Sequence, residues 1–157
     1  MPSIRRILVP VDFSRCSRAA LDYAIDFAAA VKATVEVLYV WEPNGYAGEG
    51  ALSLVPPPRG QKWDETRLQM RRELDAFLGP QREHLRDVRI EAGTPGDVIT
   101  DTAREGEYDL VIMGSHGRTG VARLLVGSVA ESVMRKSQVP VLTLKLPVKQ
   151  PRESIPL

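Results

Sequence analysis

The residues of this chain best suited to chemistry are four glycines gathered near its end, in Gly114-Ser115-His116-Gly117-Arg118-Thr119-Gly120 and then Gly127-Ser128. The chemistry they suit is anion binding. Leu110-Val111-Ile112-Met113 before them is an apolar run typical of a strand buried on both faces, and Ser128 opens a stretch with apolar residues at helical spacing. A glycine-bearing loop that feeds a helix start presents free backbone N–H groups and the positive end of the helix dipole, with no Cβ to hold an anion away. A nucleotide phosphate is the natural ligand. Asp12, closing the first apolar run, is the second candidate, because a carboxylate accepts hydrogen bonds from ribose hydroxyls. Its alternative use is an Asx turn or a helix cap. Ser128 can cap a helix as well as meet phosphate, and the two roles are compatible. Arg118 and Arg123 lie inside the loop, where forked N–H donors neutralise phosphate, although an exposed arginine is commonly just solvated.

Other chemistries find less support. His116 sits among the glycines without a recognisable nucleophile or carboxylate partner, so the sequence assigns it no catalytic role. His84 reads as a surface residue. Cys16 is the sole cysteine; it cannot form an internal disulfide, and without a CxxC it reads as inert packing. No cluster has metal-ligand spacing. The glycine pattern is not the alternating fingerprint of dinucleotide folds, and no Gly-Lys-Ser or Gly-Lys-Thr of a Walker loop occurs.

Positioning these residues requires strands and helices in alternation. Ile7–Val11 reads as a strand, with Pro10 weakening its pairing near the end. Ser14 or Ser17 caps a helix whose buried face carries Leu21, Ala24, Ile25, Ala28 and Val31, widened by Phe27, ending near Lys32. Thr34–Val40 is a second strand, parallel to the first through the helical crossover. Residues 42 to 60, rich in glycine and proline, predict a long mobile loop. From Gln61 to Leu85, Trp63, Met70, Leu74, Phe77, Leu78 and Leu85 follow helical spacing, and Gly79-Pro80 predicts either one bent helix or two short ones. Val88–Ala92 is a third strand. Thr94-Pro95 starts a helix over Val98, Ile99 and Thr102, which Gly106 closes. After strand 109–113 and the glycine loop, a helix turns Val129, Ala130, Val133 and Met134 inward, and Val139–Leu144 is the fifth strand. The tail from Pro147 to Leu157 is expected to be extended or loose. Five strands alternating with helices predict an α/β domain, residues 1–146, with a mostly parallel sheet and helices on both faces. Ligands of such sheets sit beyond the carboxyl ends of the strands where the winding reverses, at Asp12, Val40 and the glycine segment.

Taken together, Gly114-x-x-Gly117, nine residues, then Gly127-Ser128 resembles the ATP-binding branch of the universal stress proteins. Val9-Pro10-Val11-Asp12, Gly93-Thr94-Pro95-Gly96 and Val139-Pro140-Val141-Leu142 extend the likeness to residues 3–146. The resemblance implies a Rossmann-like five-stranded sheet, of the adenine nucleotide alpha hydrolase-like kind, in the order 3-2-1-4-5. It implies ATP between strands one and four and a homodimer through the last strand, Val139 to Leu144; independently of the resemblance, a triphosphate can carry Mg2+ through phosphate and water. Carried over, Asp12 meets ribose or the base edge and Val40 offers backbone groups to adenine. Gly114, Gly117, Gly127 and Ser128 hold phosphates, and Pro10, Val11, Met113, Ser115, His116, Arg118 and Val129 complete the nucleotide contacts. The apolar ladder of an edge strand gives an independent motive for pairing with a second copy.

The 21 basic and 20 acidic side chains leave a net charge of +1, which gives no footprint for nucleic acid. No apolar run approaches the roughly 18 to 20 residues of a membrane span, and the amino-terminal residues lead straight into a strand, so a soluble protein of a reducing cytoplasm is expected. The leading reading is an ATP-dependent stress-response or signalling protein with at most slow hydrolysis or self-phosphorylation. A nucleotidyl-transfer enzyme or ATP pyrophosphatase is the alternative from related groups, but His-x-Gly-His and Ser-Gly-Gly-x-Asp-Ser are both missing. A nucleotide-free, chaperone-like interaction module is the other, set against the full set of phosphate glycines.

Overall fold

The computed structural model describes residues 3–42, 61–116 and 126–146. Within them a parallel sheet forms from β1 (Arg6–Val11), β2 (Thr34–Trp41), β3 (Leu85–Ala92), β4 (Leu110–Gly114) and β5 (Val141–Leu144), in the order β3-β2-β1-β4-β5. The helices are α1 (Arg15–Val31), α2 (Gln61–Leu78), α3 (Pro95–Glu105) and α4 (Ser128–Lys136). This is the expected α/β architecture and strand order. The stretches expected to be a mobile loop and a loose tail fall, from 43 to 60 and from 147 to 157, outside the described residues, as do Gly117, Arg118 and Arg123.

Strand alternation divides the core. Ile7, Val9, Val11, Val35 and Val37 face α1 and α2, packing on Leu21, Ala24, Leu74 and Leu78. Leu8, Leu38, Val111 and Met113 face α3 and α4, packing on Ile99, Ala103, Ala130 and Val133. Helices on opposite faces require the winding to reverse between β1 and β4, and this reversal places the crevice of the sheet.

Local chemistry sets the element ends. Ser14 accepts the Ser17 N–H at 3.1 Å and starts α1, while Lys32 ends it in the left-handed region, φ 60°. Gly79-Pro80 stops α2, and the chain continues as a 3-10 helix over Gly79–His84, so a helix followed by a tighter turn is found. α3 ends at Gly106, but with φ −82° that glycine is not the left-handed residue; Glu107, φ 52°, is.

Three inward assignments do not hold. Val129 and Met134 of α4 are 36% and 41% exposed and Val31 of α1 is 40% exposed. α4 lies toward the β5 side of the sheet, where the covered stripe narrows to Ala130 and Val133. The fifth strand begins at Val141, because Ser137 Oγ binds both backbone groups of Val139 and holds that residue in a turn.

Candidate functional site

Pro10 opens the crevice. Arg6 O accepts from Asp109 N toward β4, whereas Arg5 O accepts from Thr34 N toward β2, so alternation turns residues 6, 8 and 10 toward β4. Pro10 has no N–H to give there. The β1–β4 ladder accordingly contains Ile7–Leu110 and Leu8–Val111 and stops, leaving Val9–Val11 and Ile112–Gly114 unpaired with one another. The β1–β2 ladder meanwhile runs on to Val11–Tyr39.

At the end of β1, the Asp12 carboxylate accepts from Ser14 N at 3.0 Å, which is the Asx turn the sequence offered as its alternative. Phe13 between them has φ 64°, a costly value for a bulky side chain. Aromatic packing holds it there: the ring lies 4.8 Å from Tyr39 and 5.4 Å, edge-on, from Phe77. Sequence reading missed Phe13, since nothing local marks a phenylalanine for positive φ. Val40 is half-buried against the α3 and α4 face.

Gly114 ends β4 against the first turn of α1. A Cβ there would stand 2.9 Å from the Cys16 carbonyl carbon and 2.9 Å from its sulfur, so this glycine is required by close packing. Cys16 is buried, and its thiol donates to Leu144 O at 3.1 Å. The same carbonyl accepts Ser115 N at 2.8 Å, and Ser115 O accepts Gly127 N at 2.7 Å. The two ends of the glycine segment are thereby tied to each other and to β5. Ser115 is fully buried, with Oγ 2.8 Å from His116 Nδ1.

Gly127 at the cap position of α4 brings no side chain to its first turn. Helix geometry leaves the Ser128, Val129 and Ala130 N–H groups without intrahelical acceptors, and Ser128 and Val129 are exposed. Among the described residues the arrangement is a strand end, two loop ends tied together and a helix amino terminus without a side-chain cap beside a split ladder, suited to an anion. The structure thus brings Pro10, Val11, Asp12, Met113, Gly114, Ser115, His116, Gly127, Ser128 and Val129 to the carboxyl ends of β1 and β4. Among the described residues no cluster of His, Cys, Asp or Glu is arranged to hold a metal. A separate trough of about 490 Å³, with Asp64, Arg67, Arg71 and Arg89 in its lining, opens along β3 rather than here.

The family model described as "Universal stress protein family" matches residues 3–145. This chain belongs to the universal stress protein family. It is 29% identical over 149 residues to the universal stress protein MJ0531 of Methanocaldococcus jannaschii, covering 93% of this chain and 85% of that protein. To MJ0577 of the same organism it is 29% identical over 153 residues, covering 90% of this chain and 94% of that protein. The solved structure of MJ0577 aligns with a TM-score of 0.72 at 26% identity, over 94% of this chain and 99% of that one. The universal stress protein UspA from Lactobacillus plantarum aligns at 0.66 and 25% identity, over 92% and 99%. For this family member no described helix is long and apolar enough to cross a membrane.

Proposed function

We propose that the chain binds an adenine nucleotide, ATP with Mg2+, across the crevice between β1 and β4, and works as a nucleotide-dependent stress-response homodimer. The observation that carries this is the uncapped start of α4 beside the place where the β1–β4 ladder ends. The Ser128 hydroxyl and the first-turn amides of α4 hold phosphate, with Gly117 and Arg118 of the loop completing the cradle. Because Gly127 N is given to Ser115 O, Gly127 contributes chiefly by ending the loop without a side chain. Asp12 meets ribose through its carboxylate, and Val40 offers backbone groups to the base. Magnesium is carried by phosphate and water rather than by a protein cage. Ser115 Oγ lies 2.8 Å from His116 Nδ1, but Ser115 is fully buried, which accords with slow turnover at most.

The pairing surface is β5. Val111 N and Ser115 N donate to Pro140 O and Leu144 O, so alternation turns the backbone of Val141 and Thr143 outward, away from β4. At the other sheet edge the outward backbone of Val88 in β3 is engaged by side chains: Asp87 accepts the N–H at 2.7 Å and Arg71 donates to the carbonyl at 2.9 Å. These contacts favour β5 as the edge through which a second copy pairs.

The test is calorimetry with ATP and magnesium on folded protein stripped of endogenous ligand. Saturable binding is expected; no heat and no uptake would overturn the nucleotide reading in favour of a nucleotide-free module. For the dimer, sedimentation is expected to give twice the 17.4 kDa chain mass, and Thr143→Pro, which removes an outward N–H, to give the monomer.

A further inference from the structure

Among the described residues three that are not glycine hold a positive φ: Phe13 at 64°, Lys32 at 60° and Glu107 at 52°. Two of them have a local reason. Lys32 and Glu107 follow the ends of α1 and α3, where a left-handed residue commonly closes a helix. Phe13 instead precedes a helix, and a bulky side chain is ill suited to that conformation. Such strain persists only where the surrounding structure over-determines it, and it gathers at functional sites.

A clamp built from three elements holds Phe13. Its ring packs on Tyr39 of β2 and edge-on against Phe77 near the end of α2, and all three rings lie against the core on the α1 and α2 face. Phe77 is itself fixed to α1. Arg18 Nη1 donates to Phe77 O and, at 3.3 Å, to Leu78 O, and the guanidinium lies 5.7 Å from the centre of the Phe77 ring. Arg18 N donates to Ser14 O at 3.0 Å, so the clamp returns to the turn it holds. In that turn Ser14 N donates to Asp12 Oδ1 at 3.0 Å and Asp12 N to Ser17 Oγ at 3.3 Å. Phe13 is the link between the Asp12 carboxylate and the Ser14 amide, and its backbone dihedrals set where the two stand relative to each other. We propose that Phe13 is a positioning residue: the Tyr39 and Phe77 rings fix its backbone, which aims the Asp12 carboxylate at the nucleoside end of the ligand, so that the packing of α2 controls how tightly the crevice holds ribose. The ligand half rests on the nucleotide reading above; the positioning half does not.

Hydrogen exchange at the Ser14 amide in stripped protein tests the positioning half. Wild type is expected to protect this amide, and Phe77→Ala, which leaves residues 12 to 14 in place, to expose it by more than the fall in global stability accounts for. Phe77→Tyr, which keeps the ring, is expected to retain the protection. A Ser14 amide that exchanges in Phe77→Ala no faster than global unfolding requires would overturn the proposal. Titrations with ATP, adenosine and inorganic tripolyphosphate, below the melting range of each variant, test the ligand half. Phe77→Ala is expected to bind ATP and adenosine each about tenfold more weakly, the size of one hydrogen bond to a charged group, with tripolyphosphate affinity unchanged. Phe77→Tyr is expected to bind all three as wild type does. Should Phe77→Ala not fold, Phe77→Leu, which keeps bulk without the ring, is expected to show the same pattern in smaller measure. Adenosine bound as in wild type by a variant that has lost only stability, or equal losses for tripolyphosphate, would overturn the control by α2. A wild type that binds neither ATP nor adenosine would sink the nucleotide reading and the ligand half together, while the Ser14 amide still decides the positioning half.

Discussion

At the amino ends of the strands, Asp109 accepts Arg5 N at 2.8 Å and Arg6 N at 2.9 Å, and those two amides hold its carboxyl below the ordinary range. Arg6 in turn binds Glu36 at 2.9 Å, donates to Gly106 O at the end of α3 and lies 4.5 Å over the Tyr108 ring; Tyr108 donates to Glu36 at 2.5 Å. At the carboxyl ends, by contrast, among the described residues the first turn of α4 has no side-chain cap, His116 Nε2 has no partner and Phe13 is held at positive φ. One end of the sheet is therefore knit by side-chain pairs, with Arg6 Nε left over among them, while the described part of the other end carries fewer such pairs. Parallel strands make the asymmetry cheap to build, because helix carboxyl termini, which favour cations such as Arg6, collect at one end and helix amino termini, which favour anions, at the other.

The largest effect that would sharpen this contrast is Glu36→Ala. Glu36 is 5% exposed and accepts from both Arg6 and Tyr108, so its loss leaves the buried Tyr108 hydroxyl single and takes one acceptor from the half-buried Arg6. The expected cost is about 3 kcal/mol of stability in denaturant melts, less than for a fully enclosed pair because the Arg6 side chain is 32% exposed. ATP affinity should be unchanged. A variant that loses nucleotide affinity while keeping its stability would show that the two ends are not separate in function.

Asp12→Ala probes the open end with the opposite signature. An expected loss of about 1 to 3 kcal/mol in ATP affinity, from a ribose hydroxyl left unpaired, should exceed the loss of stability from one Asx-turn bond. Wild-type affinity would reduce Asp12 to the turn that its bond to Ser14 N already makes.

The open end was far more legible in the sequence than the closed one. Glycines, a proline and a serine cap act through neighbours a few residues away, so Pro10, Gly114 and Gly127 announced a strand end, a loop and a helix start in order. Glu36 did carry a signal, a carboxylate at a core-facing position of an alternating strand, but its partners Arg6 and Tyr108 are 30 and 72 residues away. No periodicity reaches that far. The strand order came from family likeness, and the misjudged Val129, Met134 and Val139 all sit toward the β5 side, where tertiary cover rather than local pattern decides what is buried.

Gly114→Ala separates packing from ligand binding within the open end. The new Cβ would stand 2.9 Å from the Cys16 backbone carbon, which cannot swing aside as a side chain does, so about 1 to 2 kcal/mol of destabilisation is expected from overpacking. Pairing it with Cys16→Ala removes the sulfur contact but not the backbone one, and should restore only part of the loss. Full restoration would mean that the thiol alone sets the spacing between α1 and β4.

Tyr108→Phe reads the closed end by pH. Burial first, and then its hydrogen bond to Glu36, push the Tyr108 phenol up to about 12 from an ordinary 10.0. A folded value raised above the unfolded one means that the folded state holds the proton more tightly. The contribution is therefore complete below pH 10 and drains away as pH climbs from about 10 to about 12. At neutral pH the variant is expected to lose about 1 kcal/mol of stability, the usual worth of one hydrogen bond. Between pH 10 and 12 its stability should converge on that of wild type, and the latest-titrating tyrosinate absorbance should vanish from its spectrum. Parallel stability curves across that window would show that the phenol is not held by Glu36, and that the closed end rests on Arg6 alone.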